Sequence, residues 1–195
     1  STVTLADLAM RGIRVHVGHA AEQLGNAETV VVSSAIRADN LELVAARERG
    51  LRIWHRSAAL AALMLNRPGV AVAGTHGKTT TSGMLAHILS ECDTDPGYVI
   101  GSPLATTGTS FQLGTGPFVV EADESDGSFR QYPADTAVIT NIEADHLDNW
   151  ATPAAYLAGF ATFAAGAPHV VANLDDDFEM RDDGRKTLRQ QKRHP

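Results

Sequence analysis

The sequence predicts an α/β fold built on mainly parallel sheets. Three observations carry that expectation. Short apolar or β-branched runs alternate with segments of helical composition between residues 14 and 172, the pattern of strands joined by crossover helices. The run Val70-Ala71-Val72-Ala73 leads straight into Gly74-Thr75-His76-Gly77-Lys78-Thr79-Thr80-Thr81 and then into the helical stretch 82–89. Two further clusters of charged and polar residues, at 121–126 and 140–148, again follow apolar runs.

Taken in order, residues 14–17 read as a first strand and the β-branched run 29–33 as a second. Residues 39–49 have helical composition, with Asp39 or Asn40 able to cap the start. Residues 52–54 form a short strand and 57–65 a helix rich in Ala and Leu. Asn66-Arg67-Pro68-Gly69 is a turn cluster that divides the chain. Domains are expected at 1–67 and 68–177. Beyond the boundary, strands are expected at 70–73, 98–100, 118–120, 137–140 and 170–172. Residues 102–117, rich in Gly, Thr and Ser, read as a long functional or mobile loop. In residues 153–164, Tyr156, Phe160 and Phe163 are spaced for one buried helix face. Trp54 and Trp150 read as packing residues. The last segment, 178–195, is polar, carries six Lys or Arg from 181 onward, and has no core-forming pattern.

Bulk properties exclude several classes. The 195 residues are 44% apolar and 20% charged, ordinary for a globular protein. A formal charge of −7 argues against a nucleic-acid partner. The single cysteine, Cys92, forms no internal disulfide, which fits a reducing, cytoplasmic setting. No apolar run approaches the roughly 20 residues of a bilayer-spanning helix.

The strand–loop–helix at 70–89 is a phosphate cradle. The helix N-terminus favours an anion, Lys78 adds a point charge, and Thr79 is placed to hold Mg²⁺. The common eight-residue pattern has glycine where Val72 stands. The features kept are Gly74, Gly77, Lys78 and Thr79. Glu121-Ala122-Asp123-Glu124-Ser125-Asp126 puts four carboxylates within six residues at a strand end, where ligands of parallel sheets bind. Glu121, nearest the strand, is best aimed at a metal. Thr140-Asn141-Ile142-Glu143-Ala144-Asp145-His146-Leu147-Asp148 places His146 among acidic residues at another strand end. Mg²⁺ prefers oxygen ligands, so a metal held by His146 should exchange well for Mn²⁺. His76 either touches phosphate or shapes the loop. His19, Ser33 and Ser34 end the first two strands and are placed for a polar or anionic ligand.

These three motifs resemble the Mur ligases of peptidoglycan synthesis, as do Val17-Gly18-His19 and Val32-Ser33-Ser34-Ala35-Ile36 with Asp39-Asn40. The resemblance runs in order from about residue 5 to 176. It implies a Rossmann-like UDP-sugar domain followed by a P-loop-type ATP domain, both partial. It also implies ATP binding by Gly74, Thr75, His76, Gly77, Lys78, Thr79 and Thr80, and metal binding by Thr79, Glu121 and His146. Lys78, Glu121 and His146 are the expected catalytic residues. His19, Ser33, Ser34, Asp123, Glu124 and Ser125 are expected at the sugar nucleotide.

The family chemistry would phosphorylate the lactyl carboxylate of UDP-N-acetylmuramate with ATP. The acyl phosphate would then be attacked by an amine. Ser125 and Ala144 favour the member that uses L-alanine; a relative that recycles muropeptides typically has Tyr where Ser125 stands. Family members also begin with an earlier strand and Gly-rich turn, and continue into a further domain that binds the amino acid. The chain is therefore expected to be an inactive portion of a ligase. A nucleotide-binding fragment and a P-loop ATPase unrelated to cell walls are the alternatives.

Overall fold

The computed structural model describes residues 5–125, 127–143, 150 and 152–173. Contacts divide the chain into two compact units, Ser1–Ala59 and Leu60–Pro195. The α/β class with mainly parallel sheets is present in both.

In the first unit, α1 (Leu5–Met10) precedes a 3-10 turn at Ala21–Leu24. Strands β1 (Thr29–Val32) and β2 (Arg52–His55) pair in parallel, joined by α2 (Leu41–Glu48). Asn40 is the cap of α2: its side-chain oxygen accepts from the amides of Glu42 and Leu43 at 3.0 and 3.2 Å. Asp39 instead meets Arg37 at 3.2 Å. Residues 14–17 form no strand, which corrects the sequence reading. Four alternating residues specify a strand only when a neighbour takes their backbone groups, and Val17 is 87% exposed. Trp54, opposite Val31 in the β1–β2 register, is also exposed rather than packed.

Helix α3 (Arg56–Met64) leads into the second unit, a six-stranded sheet in the order β5-β4-β6-β3-β7-β8. Its strands are β3 (Gly69–Ala73), β4 (Gly97–Val99), β5 (Phe111–Gln112), β6 (Phe118–Glu121), β7 (Thr136–Ile139) and β8 (His169–Ala172). Only β4–β5 is antiparallel. Strand β3 lies between β6 and β7, with Val72 opposite Glu121 and Ala73 opposite Ile139. The chain therefore leaves these three strands at one level of the sheet.

The strands are apolar on both faces, as a sheet covered on both sides requires. Helix α4 (Lys78–Glu91) buries Ser82, Gly83 and Ala86, and Ala86 packs with Tyr98, Ile100 and Val119. Helix α5 (Pro153–Ala165) covers the larger core of Ala71, Phe118, Val120 and Ile139. Thr152 caps α5 by accepting from the Ala155 amide at 3.1 Å. Tyr156, Phe160 and Phe163 face the core as their spacing predicts. Phe160 centres lie 5.1 Å from Phe129 and 5.2 Å from Tyr156, within the range of favourable ring contacts.

The stretch 102–117 is tied down rather than loose. It contains β5. Arg67 donates to the carbonyls of Leu113, Gly114 and Gly116 at 2.7–3.1 Å. The Asp95 carboxylate accepts from both the amide and the hydroxyl of Thr115, at 2.7 and 2.8 Å. Those two hydrogen bonds, the hydroxyl's first, hold the Asp95 carboxyl below its ordinary pKa.

Two predictions follow from this packing. Phe160→Ala removes a fully buried ring and should destabilise the protein by about 3–5 kcal/mol in urea titrations followed by tryptophan fluorescence. Asp95 has a lowered folded-state pKa, so its contribution to stability is present above its unfolded pKa and lost as pH falls through the folded one. The stability difference between wild type and Asp95→Asn should therefore be present at neutral pH and shrink below about pH 4; a constant difference would refute the assignment.

Candidate functional site

The phosphate loop is shaped by close contact between β3 and the segment after β7. Gly74 has φ +139°, and a Cβ there would lie 2.0 Å from Thr140 Oγ1 and 3.0 Å from the Asn141 carbonyl. Only glycine fits. Asn141 then takes both early amides of the loop: its carbonyl accepts from Thr75 N at 3.0 Å, and its Oδ1 from His76 N at 2.9 Å. Its amide group and the Thr140 hydroxyl donate to the His76 carbonyl. Gly77, with φ +80°, caps α4, and Thr81 is the first residue whose amide bonds back into the turn, to Gly77 O at 2.9 Å. With residues 75 and 76 committed, the amides of 77–80 are the helix-end donors left for an anion. Thr80 is exposed on that first turn.

Thr75 is 6% exposed and knits three elements. Its hydroxyl donates to Glu143 O at 3.0 Å, accepts from Glu143 N at 2.9 Å, and lies 3.0 Å from the Tyr156 hydroxyl of α5. His76 lies in the exposed rim, 3.8 Å from the Glu143 carboxylate.

Two side-chain pairs join the first turn of α4 to the end of β6 and the segment after it. Thr79 donates to Glu121 Oε1 at 2.9 Å, and the other Glu121 oxygen accepts from the Gly101 amide at 2.5 Å. A Cβ at Gly101 would come within 2.7 Å of both Glu121 and Thr79. Lys78 Nζ donates to Gly74 O at 2.6 Å and to Glu124 Oε1 at 3.1 Å, and sits 2.8 Å from Glu124 Oε2. Burial raises the Glu124 pKa, against the opposing hydrogen bond from Lys78. Asp123 acts locally, accepting from Ser125 N at 3.0 Å.

The Thr79 hydroxyl and Glu121 carboxylate converge as a pair of hard oxygen donors. That set suits Mg²⁺, which takes few protein ligands and completes its shell with water and phosphate. Among the described residues, no group of three His, Cys, Asp or Glu is arranged to hold a metal. His146, expected as a further ligand, lies outside the described residues, as does segment 178–195.

In the first unit, His19 lines a cavity of about 290 Å³ with His16, Gly18, Gln23, Leu24 and Glu42. Its Nδ1 is 3.4 Å from Glu42 Oε2. Ser33 begins the turn after β1, where its carbonyl accepts from Ile36 N at 3.0 Å, and Ser34 is exposed beside it.

Four contributors were not assigned from sequence. Gly101 was detectable as a glycine directly after a strand of the same sheet. Asn141 lies within the 140–148 motif, but its task, taking loop amides, exists only once β3 and β7 are neighbours. Tyr156 and Trp150 read as core residues, and both also reach the site. Trp150 Nε1 donates to the Glu124 carbonyl at 3.2 Å.

Comparisons with known proteins agree with this arrangement. The Mur ligase middle domain matches residues 72–192, and the Mur ligase family catalytic domain matches residues 2–68. A UDP-N-acetylmuramate–L-alanine ligase of Cutibacterium acnes is 62% identical over 178 residues, 90% of this chain and 38% of that protein. One from Thermobifida fusca is 55% identical over 179 residues, 91% of this chain and 38% of that protein. The chain thus spans well under half the length of these curated relatives. Among solved structures, a UDP-N-acetylmuramate–alanine ligase of Thermotoga maritima matches with TM-score 0.82 and 31% identity, over 88% of this chain and 41% of that one. With one family domain matched to most of the second unit and another to the first, the chain belongs to the Mur ligase family.

Proposed function

We propose that the protein carrying this chain joins L-alanine to UDP-N-acetylmuramate at the expense of ATP, in the cytoplasm. One observation carries the reading. Neighbouring Lys78 and Thr79 meet Glu124 and Glu121 where the chain leaves β3 and β6. They do so in a chain 49–62% identical to proteins named for that ligation. On this reading residues 1–67 belong to the UDP-sugar domain and 68–177 to the ATP domain.

The residues suit phosphoryl transfer, where positioning and charge neutralisation do most of the work. Lys78 would neutralise the β- and γ-phosphates, with the amides of 77–80 at the end of α4 supplying further donors. Thr79 and Glu121 would hold Mg²⁺, with His146 contributing to a second cation that Mn²⁺ can replace. The metal would supply charge neutralisation between the triphosphate and an incoming carboxylate. A carboxylate oxygen of the lactyl group would bond to the γ-phosphorus as ADP leaves. The amine of L-alanine would then bond to the acyl carbon. Phosphate departs with the C–O bond electrons, and the nitrogen loses a proton to give the amide. His19, Ser33, Ser34, Asp123, Glu124 and Ser125 are the candidates to hold the sugar nucleotide, Glu124 through the segment it anchors because its own side chain is enclosed.

A second reading has one observation in its favour. A UDP-N-acetylmuramate:L-alanyl-γ-D-glutamyl-meso-diaminopimelate ligase of Neisseria meningitides matches with TM-score 0.79 over 87% of this chain. Ser125 and Ala144 favour L-alanine instead, and a direct comparison of the two amines separates the readings.

The full-length protein should release phosphate only when ATP, UDP-N-acetylmuramate and L-alanine are all present, and Lys78→Ala should lower that rate by roughly 10²-fold or more. Normal ligation by Lys78→Ala would remove Lys78 from the mechanism. Preference for the tripeptide over L-alanine would select the second reading. The 195-residue chain by itself should show no L-alanine-dependent phosphate release, and measurable release from it would overturn that part of the proposal.

A further inference from the structure

Among the described residues, Glu124 is the one charged side chain fully enclosed beside the phosphate loop. It is 1% exposed, and one of its oxygens accepts from Lys78 Nζ at 3.1 Å. The other oxygen lies 2.8 Å from Nζ without an aligned hydrogen bond, and among the described residues it accepts none. Its backbone is anchored: the Glu124 carbonyl accepts from Trp150 Nε1 at 3.2 Å and from Gly127 N at 3.0 Å. Trp150 is itself wedged against Gly159, where a Cβ would come within 2.4 Å of the indole, and it meets Tyr156 edge-on at 5.5 Å. Glu124 therefore sits on a fixed mount.

An ammonium has three N–H groups. Those of Lys78 meet Gly74 O at 2.6 Å, Thr75 O at 3.3 Å and Glu124. A phosphate oxygen can take this ammonium only by displacing one of these acceptors. The two carbonyls belong to the loop that would wrap the phosphate. Glu124 carries a negative charge that opposes an arriving anion, so it is the contact that must yield. Once it yields, an enclosed carboxylate that has lost its ammonium stands beside a phosphate, an arrangement that disfavours the bound state.

We propose that Glu124 is a positioning counter-charge that holds Lys78 back from solution and competes with nucleotide phosphate for it. The consequence is selectivity by charge. A single weak anion does not displace Glu124, whereas a polyphosphate bound at several points does. Nucleotide loading would also disturb the 121–125 segment, which carries Glu121. The idea rests on the nucleotide reading of the loop for its purpose, but the hold on Lys78 is measurable without any nucleotide.

The test uses the full chain and its Glu124→Gln variant, which keeps side-chain volume and removes charge. Acetic anhydride labelling followed by mass spectrometry compares Lys78 in the folded protein with Lys78 in the urea-unfolded chain. In folded wild type Lys78 should label more slowly than in the unfolded chain, and Glu124→Gln should speed labelling of the folded protein by roughly three- to tenfold, up to the decade that about 1.4 kcal/mol represents. The variant should bind MgADP more tightly by a similar factor and adenosine unchanged, and the gain should vanish in a Lys78→Ala background. A merely structural role for Glu124 would weaken both ligands. Unchanged Lys78 labelling, or MgADP affinity that is unchanged or weaker, overturns the proposal. Wild type that fails to bind MgADP while its Lys78 labelling responds rejects the nucleotide reading and sustains the counter-charge. Should Glu124→Gln not fold, Glu124→Ala and the wild-type ratio of folded to unfolded Lys78 labelling decide it, equal rates being the negative result.

Discussion

The parallel pairing of β3 with β6 on one side and β7 on the other is the constraint on which the site depends. Its register puts Val72 beside Glu121 and Ala73 beside Ile139. Three chain segments far apart in sequence thereby leave the sheet together. Each then depends on the others. The loop after β3 gives its first amides to Asn141 after β7, and the lysine and threonine that open α4 meet Glu124 after β6 and Glu121 at its end. A one-residue slip of β6 would turn Glu121 to the other face of the sheet and break the Thr79 contact. The apolar layers on the two faces oppose the slip, because it would take Phe118 and Val120 out of the core under α5 and Val119 out of the layer under α4.

Much of this was legible in the sequence, and the reasons differ by element. The strand–loop–helix at 69–91 was readable because apolar strand, glycines and lysine each constrain the backbone locally. The face of α5 was readable because Tyr156, Phe160 and Phe163 repeat at helical spacing. The segment 14–17 misled because alternation describes a strand's side chains and says nothing of whether a partner exists. Trp54 misled for a related reason: a large ring is packed only if something covers it, and here Val31 on the adjacent strand is exposed as well.

The functional residues that escaped notice share a cause. Gly101 matters because Glu121 and Thr79 come within 2.7 Å of where its Cβ would be. Asn141 matters because two loop amides need acceptors. Trp150 matters because its indole nitrogen reaches Glu124. Each role is a relation between segments at least 20 residues apart, and it exists only after the strand order is known. Composition and spacing carry information about what a residue can do, not about what it will meet.

The second glutamate of the acidic motif illustrates the difference most sharply. By sequence, Glu121 and Glu124 are two carboxylates of one loop. In the fold they hold opposite stations. Glu121 is partly open, bonded to a hydroxyl and an amide, and presents oxygen to a site where a cation would be welcome. Glu124 is enclosed, is bonded to a cation already, and its pKa is driven up by burial rather than down by its partner. Desolvation outweighing an ion-pair contact is the expected balance when one carboxylate oxygen stays unbonded. Such a pair adds little to stability, and its effect falls on Lys78 instead. A lysine with every N–H engaged is oriented before a phosphate arrives, and it is given up only to a ligand carrying enough charge to replace Glu124.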